Sequence, residues 1–169
     1  ELGGGFGAGI HRFIGVREGG KTSCCLQVCK NFLEFFGKLG FVVYFKAEGR
    51  LDPDIFTRSG ISQSDERFKV VQSNIYEFVI DSMRALVKDN PMGIRYLFVI
   101  DSVDGLITRQ EMEKSAEEVS ATASSARMLA LLLKKISSAF SAKGHMGVFI
   151  SQERSNIVIN QYAPREQKQ

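Results

Sequence analysis

The sequence predicts an α/β fold built on a doubly wound, mostly parallel sheet with helices on both faces. Two observations carry this expectation. Five short runs rich in β-branched and aromatic residues, HRFIGV (11–16), FVVYFKA (41–47), FKVVQS (68–73), YLFVID (96–101) and GVFISQ (147–152), are spaced along the chain, and helical patterns lie between them. Strands that alternate with helices pair in parallel through right-handed crossovers. Continuous apolar runs, rather than alternating ones, suit strands covered on both faces.

The helices follow from periodicity and stop signals. Apolar residues at helical spacing run from Lys21 to Leu39, where Gly40 ends them; a short helix follows Pro53; a third spans Asn74 to Val87, stopped by Asn90-Pro91; a long one spans Ala116 to Lys143. In such sheets ligands gather at the carboxyl ends of the strands, so residues 15–22, 47–52, 101–102 and 151–152 are expected on one rim.

A chain of 169 residues, 44% hydrophobic and 24% charged, suits one domain with a buried core. A net charge of +3 permits a nucleic-acid partner without arguing for one. No apolar run approaches the roughly 20 residues that a spanning helix needs. No signal-peptide pattern opens the chain, so a soluble cytoplasmic protein with no membrane partner is expected. Cys24, Cys25 and Cys29 share one predicted helix without the spacing of a zinc site, and read as small apolar core residues. The chain opens at Glu1 without Met and closes on the polar NQYAPREQKQ, which reads as a fragment lacking flanks on both sides.

The residues Gly15-Val16-Arg17-Glu18-Gly19-Gly20-Lys21-Thr22 fit G-x-x-x-x-G-K-T in full, after a predicted strand and before a helix. Glycines let backbone N–H groups turn toward phosphates, and the helix N-terminus adds its dipole. The segment from Gly15 through Ser23 is therefore the candidate site for a nucleoside triphosphate, with Lys21 reaching the β and γ phosphates and Thr22 placing its hydroxyl on Mg²⁺. A glycine-rich turn that merely precedes Lys-Thr is the competing reading, and the strand–loop–helix context weighs against it. Asp101 ends an apolar strand, where a carboxylate meets the metal's outer shell.

Glu48 follows the second strand and is the rim acid placed to orient or deprotonate water; a solvated loop carboxylate is the alternative. Gln152 reads equally as a reporter of γ-phosphate occupancy or as a turn cap. His11 and His145 read as structural. Asp65-Glu66-Arg67 and the run from Glu111 to Glu118 read as solvated faces.

Taken together, GVREGGKTSCCLQ, FKAEGRLDPDIFTRSGI, LFVIDSVDGL, ARMLALLLKKI and FISQER resemble the ATPase core of the RecA family of DNA recombinases and its phage UvsX-type relatives, in order from residue 2 to 157. The resemblance implies a RecA-like P-loop NTPase core with strand order 3-2-4-5-1 and ATP and Mg²⁺ as cofactors. It implies Lys21 and residues 15–23 as the phosphate loop, Glu48 as the glutamate that activates water, and Thr22 and Asp101 at the metal. Gln152 resembles the γ-phosphate sensor that signals to the DNA loop behind it, and Asp52 and Pro53 sit where the family holds the adenine edge. Two segments resemble DNA loops, Thr108 to Thr122 and Glu153 to the C-terminus. In the second, Arg154, Asn156, Asn160, Gln161 and Arg165 offer cations and amides suited to phosphates and sugars.

Three departures accompany the resemblance. Lys46 stands where the family commonly has an acid; Ile55 and Phe56 straddle the position of the adenine-stacking aromatic; and the family's N-terminal joining segment and the strands beyond the second loop lie outside these residues. The implied function is recombination and DNA repair: a DNA-dependent ATPase that forms a helical filament of its own copies on single-stranded DNA and promotes strand exchange. Single-strand-binding or mediator proteins are further expected partners. The competing readings are a mediator or paralogue that binds nucleotide and a recombinase but hydrolyses little, and a ring-forming motor on the same core.

Overall fold

The computed structural model describes residues 5–49, 52–62, 64–113 and 122–153, and the structural statements below concern these. Along the chain run β1 (Gly9–Gly15), α1 (Lys21–Phe36), β2 (Gly40–Lys46), α2 (Pro53–Ser59), β3 (Phe68–Gln72), α3 (Tyr76–Lys88), β4 (Arg95–Asp101), α4 (Arg109–Glu113), α5 (Thr122–Lys143) and β5 (Met146–Gln152). Single 3-10 turns at Gly37–Leu39 and Val103–Gly105 follow α1 and β4. The strands form one sheet in the order β1-β5-β4-β2-β3, with every neighbour parallel. Read from the other edge, this is the expected 3-2-4-5-1.

The two-residue period of the strands divides the core. On one face, α1 and α2 cover Val42 and Tyr44 of β2, Leu97 and Val99 of β4, and Val148 and Ile150 of β5. On the other, α3 and α5 cover Phe45, Phe98, Ile100 and Phe149. β4 is central, and residues Tyr96 to Asp101 are all buried. Truncating one such large side chain to Ala costs about 3–5 kcal/mol, against a total domain stability of roughly 5–15 kcal/mol. The strand that carries Asp101 is accordingly among the most firmly fixed in the molecule.

Three sequence expectations are corrected. HRFIGV and FKVVQS are outer strands, so Arg12, Ile14, Lys69 and Val70 are exposed rather than covered on both faces. A central strand has neighbours that recruit helices to both sides, whereas an edge strand keeps one side near solvent. Cys24 is exposed, while Cys25 and Cys29 are buried: the latter two are four residues apart on the sheet-facing side of α1, and Cys24 is turned off that face.

The Asp65-Glu66-Arg67 run is not a simple solvated face. Arg67 donates to Asp65 at 2.6 Å and to the carbonyls of Leu33 and Gly37, which ties the approach to β3 onto the end of α1. Of the run from Glu111 to Glu118, the described residues 111–113 end the short helix α4, with Met112 and Glu113 exposed. Thr108 and Glu111 form a capping box, with the Thr108 N–H on Glu111 Oε2 at 2.8 Å and the Glu111 N–H on Thr108 Oγ1 at 3.0 Å. Residues 116–121 of the predicted long helix lie outside the described residues.

His145, structural as expected, is fully buried before β5; its Nδ1 accepts the Tyr96 N–H at 3.2 Å and its Nε2 has no partner among the described residues. Burial first, then the nearby Arg95 and Lys143 charges, lowers its pKa to about 4. Well above pH 6.5 the ring is neutral both folded and unfolded, so it contributes no slope. Below that, the unfolded chain takes up the proton first, and stability falls until the folded ring titrates near pH 4. Unfolding free energies at about pH 7.5 and about pH 5 should therefore differ by about 2 kcal/mol more in the wild type than in His145→Gln. Equal differences in the two proteins would remove His145 as the cause.

Candidate functional site

The rim at the carboxyl ends of the strands collects the predicted residues. Gly15, ending β1, lies in register with Gln152, ending β5, and Lys46 of β2 lies in register with Asp101 of β4. Between β1 and α1 the chain makes a tight turn, with the Gly19 N–H on the Val16 carbonyl at 3.2 Å. Gly20 caps α1 with φ 78° and ψ 7°, a left-handed conformation natural to glycine. A glycine cap has no side chain to satisfy the first N–H groups of the helix, and α1 has no acid in its first turn. These groups and the helix dipole face the loop, the arrangement that attracts phosphate. The Lys21 ammonium folds back over the loop to the carbonyls of Gly15, at 3.0 Å, and Val16. Val16, Arg17, Glu18, Gly19 and Ser23 are exposed around it.

Asp101 is the focus of the buried side of the rim. Its Oδ2 accepts hydrogen bonds from Tyr44 at 2.7 Å, Lys46 at 2.8 Å and Thr22 at 3.2 Å. Sheet periodicity explains the convergence: Tyr44 and Lys46 alternate onto the α1 face of β2, Asp101 onto the same face of β4, and Thr22 begins the helix that covers it. The Tyr44 phenol is pushed far above its ordinary range by burial and then by the Asp101 charge, so it stays a donor. Its hydrogen bond to a carboxylate is of the charge-assisted kind, worth about 1.5–3 kcal/mol.

Glu48 is exposed just beyond β2. Its Oε1 accepts from Ser102 Oγ at 3.3 Å, and its Oε2 lies 3.5 Å from Gln152 Nε2. The turn Val103–Gly105 is the platform between them: Asp104 Oδ2 accepts the Gln152 N–H at 2.7 Å, and a Cβ at Gly105 would come within 2.4 Å of Glu48 Cγ. Behind Gln152, the Glu153 N–H reaches the Gly15 carbonyl at 3.0 Å, joining the end of β5 to the start of the loop.

The remaining expected residues lie at the start of α2 or outside the described residues. Asp52 uses its carboxylate to cap α2, accepting the Asp54 N–H at 2.9 Å, and Pro53 opens that helix. Phe56 packs into the core edge-on to Phe68, with ring centroids 5.5 Å apart, which leaves it no exposed face for stacking. Arg154, Asn156, Asn160, Gln161 and Arg165 lie outside the described residues, as does most of the segment from Thr108 to Thr122. Sequence reading singled out Asp101 from LFVIDSVDGL but missed Asp104 and Gly105, and missed Tyr44 and Lys46 as its partners. The period of two along FVVYFK, combined with the strand order, was the available signal for the latter pair.

The donors fit a magnesium nucleotide. The Thr22 hydroxyl and the Asp101 carboxylate are hard oxygen ligands within 3.2 Å of each other, and they adjoin the uncapped helix N-terminus. Among the described residues there is no group of three or more His, Cys, Asp or Glu that could enclose a metal. Mg²⁺ is commonly held by one or two protein oxygens together with phosphates and water, and Thr22 and Asp101 would offer two. Among the described residues no helix is long and apolar enough to cross a membrane.

Residues 2–168 match the family model described as the RecA N-terminal domain. Curated relatives named Protein RecA include that of Mycobacterium sp. (strain KMS), 30% identical over 148 residues, which cover 88% of this chain and 40% of the relative. Those of Leptospira biflexa serovar Patoc, 30% identical over 155 residues, and Malacoplasma penetrans (strain HF-2), 30% identical over 148 residues, have 38% and 42% of their lengths covered. The chain thus spans 38 to 42% of the length of these three relatives. The sheet order, the loop before α1 and a family match over nearly all 169 residues lead to one assignment: the chain belongs to the RecA family.

Proposed function

We propose that these residues form the ATPase core of a DNA recombinase that binds single-stranded DNA as a filament of its own copies and promotes strand exchange. The observation that carries this reading is the meeting of four strand ends on one rim. There, Thr22 touches Asp101 at 3.2 Å, Glu48 lies 3.5 Å from Gln152, and Gln152 leads directly into the segment proposed for DNA. Bound Mg–ATP supplies the phosphoryl group and a charge that needs spreading. Lys21 and the first N–H groups of α1 hold the phosphates. Thr22 and Asp101 offer oxygens to the metal, and Glu48 orients water or takes its proton. Asp52 and Pro53 border the base.

Gln152 ends β5, with its amide 3.5 Å from Glu48 and its backbone continuing into Glu153 and the chain beyond it. A change in its amide partner alters the exit of that chain, which couples the nucleotide to Arg154, Asn156, Asn160, Gln161 and Arg165, the proposed contacts to DNA phosphates and sugars. The energy of the nucleotide is then used to grip and release DNA.

One observation favours a second reading. The Lys46–Asp101 ion pair, 2.8 Å long with side chains only 15% and 7% exposed, puts a cation on the carboxylate proposed for the metal. Slow hydrolysis would fit a mediator that binds nucleotide and a recombinase. If Glu48→Gln leaves filament turnover unchanged while Lys21→Ala abolishes partner binding, the mediator role is preferred.

The direct test is the ATPase rate of the full-length protein with and without single-stranded DNA. Stimulation by DNA, with DNA retained in ATP, is expected; no stimulation together with no retention sinks the recombinase reading. In the same assay Glu48→Gln should lower hydrolysis by about 10²–10⁴-fold. Gly105→Ala should act differently. Its Cβ displaces the Glu48 side chain, which is exposed and can swing away, so stability should change by less than about 1 kcal/mol. Hydrolysis should still fall, by about a hundredfold for an ångström of misplacement, at unchanged nucleotide affinity. Wild-type turnover in Gly105→Ala would remove Glu48 from this role.

A further inference from the structure

Among the described ion pairs, the one that involves Asp101 is made by Lys46, and its place follows from the sheet. It is the last residue of β2, in register with Asp101, and its ammonium lies 2.8 Å from Asp101 Oδ2. The same oxygen receives Tyr44 and Thr22, so all three described side-chain donors to Asp101 crowd one atom. A carboxylate oxygen has room for about two good hydrogen bonds. Both members of the ion pair are largely buried, so solvent screens them weakly.

We propose that Lys46 is a built-in counter-ion of the site, a positioning residue that makes nucleotide binding less dependent on Mg²⁺. This rests on the nucleotide reading of residues 15–23. To a divalent cation approaching Thr22 and Asp101, the pair presents almost no net charge, because the attraction of Asp101 is offset by Lys46. To nucleotide phosphates the same pair removes the repulsion that a lone Asp101 would exert, and the ammonium adds to that of Lys21. The site therefore gains less from the metal and loses less in its absence. Removing the charge of Lys46 reverses both effects, and linkage requires that Mg²⁺ and nucleotide then strengthen each other's binding by the same factor.

The test uses the full-length protein and a fluorescent methylanthraniloyl-ATP, titrated in Mg²⁺ and in EDTA. The quantity read is the ratio of the two dissociation constants, chelator over magnesium. Lys46→Met, uncharged and of similar length, should raise this ratio by about tenfold, the effect of one unit charge at several ångströms in a partly buried site. Lys46→Gln, which keeps a donor for Asp101 but no charge, should move in the same direction and serves where Met fails to fold. Lys46→Arg should keep the wild-type ratio. Mn²⁺ binding at fixed nucleotide, read by electron paramagnetic resonance, should tighten in the neutral variants and not in Arg. A ratio unchanged in both neutral variants, or raised equally in Arg, overturns the proposal. Failure of the wild type to bind the analogue in either condition overturns the nucleotide reading itself, and the proposal with it.

Discussion

A carboxylate buried at the end of the central strand governs the rest of the rim. Asp101 is 5% exposed, and an isolated charge at such a depth would cost several kcal/mol. The fold answers with Tyr44, Lys46 and Thr22 on one oxygen. Those partners come from β2 and from the first turn of α1, so satisfying Asp101 also fixes where the loop from Gly15 to Thr22 meets the sheet. The Ala47 N–H on the Asp101 carbonyl at 2.8 Å adds a backbone tie from the end of β2, just before Glu48.

From this anchor two layers of the rim can be distinguished. The inner layer, Asp101 with Tyr44, Lys46 and Thr22, is buried or nearly so and is held by hydrogen bonds of 2.7, 2.8 and 3.2 Å on one oxygen. The outer layer, Glu48 with Ser102, Gln152 and Asp104, is more exposed, and its longest contact is 3.5 Å. In the proposed function the buried layer would hold the nucleotide and the exposed layer would pass its state to β5. The platform Val103–Gly105 is where the layers join, because it follows Asp101 in the chain and touches both Glu48 and Gln152.

Much of this was legible in the sequence. The five strands and their intervening helices follow from apolar runs, periodicity and the glycine and proline stops. The turn and helix start between Gly15 and Thr22 were readable because glycines break the strand there and an apolar helical period follows. Strand order was not readable from local pattern and came from the resemblance, which the sheet bears out. What escaped was tertiary. HRFIGV and FKVVQS look like central strands because composition does not report which strand lacks a neighbour. Cys24 differs from Cys25 by one residue, and only the placement of α1 on the sheet separates an exposed thiol from a buried one. Lys46 departs from the family's pattern in sequence, but its partner is 55 residues away and emerges only when β2 and β4 are set side by side. Gly105 gave no signal of its own, since its role is to leave room for a side chain from another loop.

The proposed function depends on the inner and outer layers serving one bound nucleotide. The most direct measurement is a crystal or cryo-electron-microscopy structure of the full-length protein with Mg²⁺ and a non-hydrolysable ATP analogue. The terminal phosphate should lie against Lys21, with the Gln152 amide within hydrogen-bond reach and Glu48 facing the phosphorus from the side opposite the bridging oxygen. A nucleotide seated away from residues 15–23, or a terminal phosphate with Glu48 and Gln152 both out of reach, would contradict it.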